Sequence, residues 1–267
     1  MSKKKRGKKF GWFAVIIVLI AVIAVVKLPY RQEIAEEPVP EYTEDDAKSV
    51  IAAFAQKNSI DEASWPEELV ELLDKNPDTK EFVLNYPLKK DKKYEINLSE
   101  HINTGSVPML YQWDERWGYQ EYNENIMGLS GCGPTCLSMV SLYILKNPDL
   151  TPLYIADFSE KNGYCLPNNG SLWTLISEGS KRLGLSVSEL GLDENLIRTN
   201  LEAGNPIICN MGPGDFSEYG HYIVMADWKD GKIKINDPNS IVRSLKLWDY
   251  EEVKNQIRNM WVFKRGC

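Results

Sequence analysis

Two histidines and five cysteines are all that 267 residues carry of these types, and that scarcity removes several classes of protein at once. A closed zinc site draws four ligands largely from these residues, and no cysteine spacing here matches one. No metal or organic cofactor is therefore expected. A disulfide framework needs a dense, even set, so five cysteines leave at least one thiol unpaired unless the protein dimerises through it. Cys132 and Cys136, at helical spacing, are poorly placed to bridge each other, whereas Cys165 and Cys209 remain open to pairing. Positive charge is thin as well. Setting aside the seven basic residues up to Lys27 leaves 24 of the 31 Lys and Arg against 38 acids, a net charge of −14. That balance argues against nucleic acid and against an anionic membrane surface as partners.

The start of the chain is different. MSKKKRGKK holds six positive charges in nine residues, and Phe10 to Val26 follow as seventeen residues without a charge. This run is longer than the ~7–15 residues of a signal-peptide core and close to the ~17–25 that span a bilayer. Only Ala21 and Ala24 have the size wanted at a cleavage site. An anchor over residues 10–28 is the expectation and a cleaved signal its rival; the positive-inside rule keeps the tail 1–9 cytoplasmic and sends the remainder outside. Residues 29–42, acidic and broken by Pro38 and Pro40, suit an extended stalk.

Residues 43–106 read as a helical appendage. Thr43 is placed to cap a helix carrying Ala47, Val50, Ile51 and Phe54, and Ser64 with Glu67 has capping-box spacing ahead of Leu69, Leu72 and Leu73. Pro77 ends this second helix, and a short turn follows around Phe82 to Tyr86. From 107 to 267 the chain turns to tryptophan, glycine and asparagine. Helices are predicted over 133–146, 171–183 and 194–203, followed by strands in PIICNM, HYIVMADW and KIKIND, a helix near 249–257 and a closing strand in NMWVFK. Helices followed by antiparallel strands predict an α+β fold. Trp173, Trp228, Trp248 and Trp261 read more simply as core than as cleft. Gly212–Tyr219 and Ser171–Trp173 are open to either reading.

Chemistry concentrates in GLSGCGPTCLSMV. A thiol attacks as thiolate, and the first turn of a helix stabilises that anion with unpaired N–H groups and the positive end of the dipole. Cys132 stands at such a tip, with Pro134 in the first turn and Gly131 and Gly133 leaving the backbone open to a substrate. Cys136, one turn deeper, reads as a small core residue. A nucleophilic thiol needs a base, and the base needs an orienting acceptor. His101, in the polar stretch SEHINTGSVP, reads as a solvated linker residue. His221 begins an apolar strand, and if Lys229-Asp230-Gly231 closes a hairpin, Asp237 returns beside it within one to three residues of register.

Taken in order, VPMLYQWDERWGY, GLSGCGPTCLSMV, GHYIVMADW and INDPNS resemble the papain-like cysteine peptidases. Within them the chain is most similar to the bacteriocin-processing group, cysteine peptidase family thirty-nine. The resemblance covers residues 107 to 263. It implies a papain-like fold, with a helical half bearing the nucleophile and an antiparallel half bearing histidine and aspartate, here preceded by one transmembrane helix. It also implies Cys132 as nucleophile, His221 as general base and acid, Asp237 as the residue orienting the imidazole, and Gln112 as the amide that shares the oxyanion with the nucleophile's own N–H. In that group the glutamine lies only a few residues before the cysteine, whereas Gln112 and Cys132 are twenty apart. The transporter-borne members cut double-glycine leaders on the cytoplasmic face. This chain carries no Gly-rich ATP motif, so their substrate does not transfer.

The expectation is thus a membrane-anchored, extracytoplasmic cysteine peptidase acting on a peptide or protein. The alternatives are an acyltransferase or a peptidoglycan endopeptidase or amidase on the same triad, or a peptide-binding domain without catalysis.

Overall fold

The computed structural model describes residues 46–167 and 170–264. The predicted tail, anchor and stalk, residues 1–42, lie outside these, as do Thr43 and Cys267. Among the described residues no helix is long and apolar enough to cross a membrane. The architecture is α+β. Two short hairpins come first, β1 (Glu121–Tyr122) with β2 (Asn125–Ile126) and β3 (Cys165–Leu166) with β4 (Gly170–Ser171). The main sheet holds β5 (Ser186–Glu189), β6 (Ile207–Met211), β7 (His221–Lys229), β8 (Lys232–Asn236), β9 (Leu247–Trp248) and β10 (Ile257–Lys264). Their order is β5-β10-β6-β7-β8-β9, with every neighbouring pair antiparallel.

Strand alternation explains why IICNM looks apolar on both faces apart from Asn210. Ile208 with Tyr222 and Val224 packs against the helical half, while Ile207, Cys209 and Met211 join Ile223 and Met225 in a second core on the opposite face. Helix Glu194–Glu202 closes that second face with Ile197 and Leu201. The sheet is therefore covered on both sides, and its central strands lose the polar-out pattern of a one-sided sheet.

Helix Cys132–Leu145 runs through the first core and buries eleven residues. Its polar positions are satisfied locally: Thr135 donates to the Gly131 carbonyl, Ser141 to Leu137 and Ser138 to Leu150. A helix apolar all round belongs in an interior, and hydroxyls that bond backbone carbonyls remove the cost of burying them. Helix Pro152–Lys161 packs beside it and is absent from the sequence reading, although Thr151 caps it at Tyr154 N and Pro152 opens it. Strand β5 and helix Ile241–Leu245 are likewise unforeseen.

The N-terminal helices are Ala47–Asn58, Glu67–Lys75 and Lys80–Lys89. Asp46 caps the first through Ser49 N at 2.9 Å. The expected capping box at Ser64 does not form: Ser64 ends a short turn, and the second helix starts after Pro66 without a side-chain cap. Pro77 does not simply stop the chain either. It opens a new turn capped by Asn76, and the region around Phe82 to Tyr86 is helical. Pro87 inside that helix has no N–H for the Val83 carbonyl, and the Trp65 indole N–H supplies the bond instead at 2.7 Å.

These helices are built into the molecule. Phe82 stacks on Tyr119 with centroids 4.5 Å apart, and it occupies a slot that glycines leave open. A Cβ at Gly118 would lie 2.6 Å from the ring, and one at Gly128 2.5 Å from it.

Candidate active site

Residues Asp230 and Gly231, at φ 53° and 79°, form the two-residue turn of the β7–β8 hairpin. Asp-Gly in this position suits the primed turn whose twist matches the strands. The turn sets Lys229 opposite Lys232, and a one-residue bulge between Met225 and Asp227 then shifts the register, so that Val224 stands opposite Asn236. Asp237 directly follows the last residue of β8 and comes back beside the head of β7, which His221 begins. His221 Nε2 lies 2.7 Å from Asp237 Oδ1.

Asp237 is fully buried and gripped from several sides. Asn239 N donates to Oδ1 at 2.8 Å, and Arg243 Nε donates to Oδ2 at 2.5 Å. Burial alone would raise its carboxyl, but the charges and hydrogen bonds of His221 and Arg243 outweigh it and hold the group below the ordinary carboxylate value. Burial likewise opposes charge on His221. The Asp237 carboxylate, with a hydrogen bond to the Cys132 thiol, reverses this and raises His221 to about 10. With Nε2 engaged by Asp237, Nδ1 is the ring nitrogen left for the thiol. The arrangement favours an imidazolium beside a sulfur at a helix start, a pairing suited to nucleophilic attack.

Cys132 and His221 share a cleft of about 910 Å³. Ser171 to Trp173 line one part and Tyr219 with Gly220 another, so the first segment left open by the sequence belongs to the cleft, whereas of Gly212–Tyr219 only Tyr219 does, and Phe216 is core. Trp248 and Trp261 are core, but Trp173 is 45% exposed and meets Trp261 edge-on. The glycines beside the nucleophile serve packing more than substrate access. A Cβ at Gly133 would stand 2.6 Å from the Ser171 Cβ, and one at Gly131 would press on Met127. Under them Tyr122 OH bonds Ser171 Oγ at 2.7 Å and Ser159 Oγ at 3.0 Å, tying the two small hairpins to each other and to helix Pro152–Lys161.

Gln112 is not among the residues lining the cleft. It is buried, its Nε2 donates to the Gly128 carbonyl at 2.8 Å, and its Oε1 is buried without a partner. Reversing the amide would face two oxygens, so this orientation is the physical one. His101 sits in a turn 3.3 Å from Glu100, away from the cleft. Cys132, Cys136, Cys165 and Cys209 are all free, so the open pairing of Cys165 with Cys209 is not made. Burial pushes the Cys136, Cys165 and Cys209 thiols up. No cluster able to hold a metal occurs among the described residues.

Two contributors escaped the sequence reading. Arg243 reaches Asp237 from a five-residue helix capped by Ser240. That helix start is held from the N-terminal segment: Asp78 Oδ2 accepts from Ile241 N at 2.7 Å and Ser240 Oγ at 3.0 Å, while Asn76 donates to Asn239. Lys75 also pairs with Glu218, beside the loop that leads to His221.

A thiol at a helix start, facing a carboxylate-held imidazole at the head of an antiparallel sheet, defines the layout of a papain-like cysteine peptidase. The Peptidase_C39-like family model matches residues 104–265, and the chain belongs to that family. Among solved structures it is similar to the peptidase domain of Streptococcus ComA, a bifunctional ABC transporter involved in a quorum-sensing pathway. That match has a TM-score of 0.43 and 16% identity, over 60% of this chain and 99% of that one. A C39-like peptidase from Bacillus anthracis matches with a TM-score of 0.41 and 14% identity, over 65% and 99%. No curated protein matches.

Proposed function

We propose that the chain is an active cysteine peptidase working through Cys132, His221 and Asp237, held by residues 10–28 on the outer face of a membrane. The observation that carries the activity is the 2.7 Å contact between His221 and a fully buried carboxylate, with Cys132 in the same cleft. In this reading the Cys132 sulfur attacks the scissile carbonyl as thiolate. The oxyanion is met by the Cys132 N–H and the second N–H of Gln112, the first being engaged by Gly128. His221 passes its Nδ1 proton to the leaving amine, giving an acyl-enzyme. It then takes a proton from water as that water attacks, and the thiolate and carboxylic acid product are released.

The direct test is a thiol-directed activity probe with a peptide library on the full chain. Wild type should label at Cys132 and cleave a subset of peptides, and Cys132→Ala should do neither. Absence of both reactions in the wild type would favour a peptide-binding domain. The location is tested separately: protease shaving of intact cells should remove the domain, whereas release of a soluble protein starting near residue 25 would establish a cleaved signal.

A further inference from the structure

Arg258 is the odd residue of β10. The β10–β6 register runs Ile257 opposite Met211 and then Asn259 opposite Asn210, so Arg258 is an extra residue with no partner across the ladder. A bulge of this kind re-aims a side chain, and here it delivers the guanidinium to the cleft that holds Cys132 and His221. One glycine makes room for it, and a second stands beside it at ordinary contact distance. A Cβ at Gly212 would lie 2.9 Å from Arg258 Nε, and one at Gly220 would lie 3.7 Å from Nη1.

What the guanidinium lacks is a partner. The other four described arginines each donate to a side chain: Arg116 to Asp114, Arg182 to Tyr164, Arg198 to Asn195 and Arg243 to Asp237. Arg258 makes no hydrogen bond or ion pair among the described residues, and the described lining of the cleft contains no aspartate or glutamate. An acid-free cleft in a chain whose residues 28–267 carry a net charge of −14 is a distinct electrostatic environment. Beside it stands Asn210, in the same cleft and 8% exposed, whose amide bonds no described residue. A guanidinium fork with an amide donor alongside matches a carboxylate.

We propose that Arg258, with Asn210, forms a carboxylate-binding subsite of the cleft, so that the preferred substrate presents an acidic side chain or a free C-terminal carboxylate near the scissile bond. The inference rests on the peptidase reading for its substrate, but anion recognition itself can be measured without turnover.

The experiment uses the full chain and two readouts. In the first, matched peptides carry Glu or Gln, and a free or amidated C-terminus, at each position flanking cleavage. The acidic member of one pair should be cleaved about tenfold faster, the worth of one charge-assisted contact, and the pair that responds separates a side-chain carboxylate from a terminal one. Arg258→Gln should bring that ratio near unity, Arg258→Lys should retain part of it and Arg258→Glu should invert it. Arg198→Gln, on an exposed helix, should leave it unchanged. In the second, the ratio of Cys132 alkylation by iodoacetate to that by iodoacetamide should fall severalfold in Arg258→Gln. Peptide turnover without a carboxylate preference, or with one that survives Arg258→Gln, overturns the subsite and leaves the peptidase standing. An Arg258-dependent alkylation ratio without any turnover keeps the subsite and sinks the peptidase. An alkylation ratio indifferent to Arg258 in a protein that cleaves nothing overturns both.

Discussion

On one side of His221 the imidazole meets a carboxylate with no exposed surface, fixed by a backbone N–H, an arginine and a capped helix. On the other it meets a thiol at the edge of a cleft of about 910 Å³. The back is crowded and anchored by residues far away in sequence, including the Asn76–Asp78 turn. The front is open and lined by glycines, polar side chains, Arg258 and the rings of Trp173, Tyr219 and Tyr222. Orientation and reaction are thereby separated: the back sets where Nδ1 points, and the front leaves space for a substrate to reach the sulfur.

The sharpest test of the contrast exchanges the groups that meet across it. Cys132→Ala and His221→Ala should each lower kcat/KM on the order of 10⁴-fold or more, while His101→Ala should change it less than severalfold. Equal losses at both histidines would remove the distinction between them.

Gln112 belongs to neither side cleanly. If its second N–H reaches the oxyanion, Gln112→Ala should cost roughly 10²-fold in kcat. If it only braces Gly128, the loss should show in Tm with kcat nearly intact.

Behind the imidazole the effects should be graded by distance from the ring. Asp237→Asn should be milder than Cys132→Ala, because an amide oxygen still accepts the Nε2–H, though its NH₂ then opposes Arg243. Arg243→Gln should cost about tenfold, the value of one charge-assisted bond. Asp78→Ala removes the acceptor from the start of the Arg243 helix and should cost about 1 kcal/mol of stability, as a lost cap does. It should also lower kcat severalfold with KM unchanged, because the front is untouched. A raised KM with unchanged kcat would show that the N-terminal helices act on the cleft instead.

This gradient also marks what the sequence made legible. His221 and Asp237 were readable only to within one to three residues, because an Asp-Gly turn closes the hairpin locally while the bulge between Met225 and Asp227 leaves no local signal, and Cys132 because Gly-Cys-Gly-Pro before an apolar run announces a helix start. Arg243 was not, since its reach depends on a five-residue helix whose first N–H is held by Asp78, 163 residues earlier. Nothing in the sequence of the N-terminal segment points to its support of the site. Its contacts through Asn76, Asp78 and Phe82 are tertiary and leave no periodicity. The nineteen residues between Gln112 and Cys132 hid the glutamine's actual neighbour, the Gly128 carbonyl.

The smallest expected effect concerns pH, and it separates the two sides thermodynamically. His221 is raised from its ordinary 6.5 to about 10, so its charge contributes stability fully below about pH 6.5, and that contribution drains as pH rises through about 10. Asp237 is lowered, so its share is complete above the ordinary 3.8 and disappears as pH falls through its depressed folded value. Between these limits the buried pair is charged on both members and the back of the site is at its firmest. The Tm gap between wild type and His221→Gln should therefore narrow steadily from pH 7 to pH 10.5. The gap between Cys132→Ser and wild type should vary less over the same range, because the serine still offers the ring a hydrogen bond and leaves Asp237 in place. A His221→Gln gap that stays flat across that interval would mean that packing, and not the charged pair, holds the imidazole.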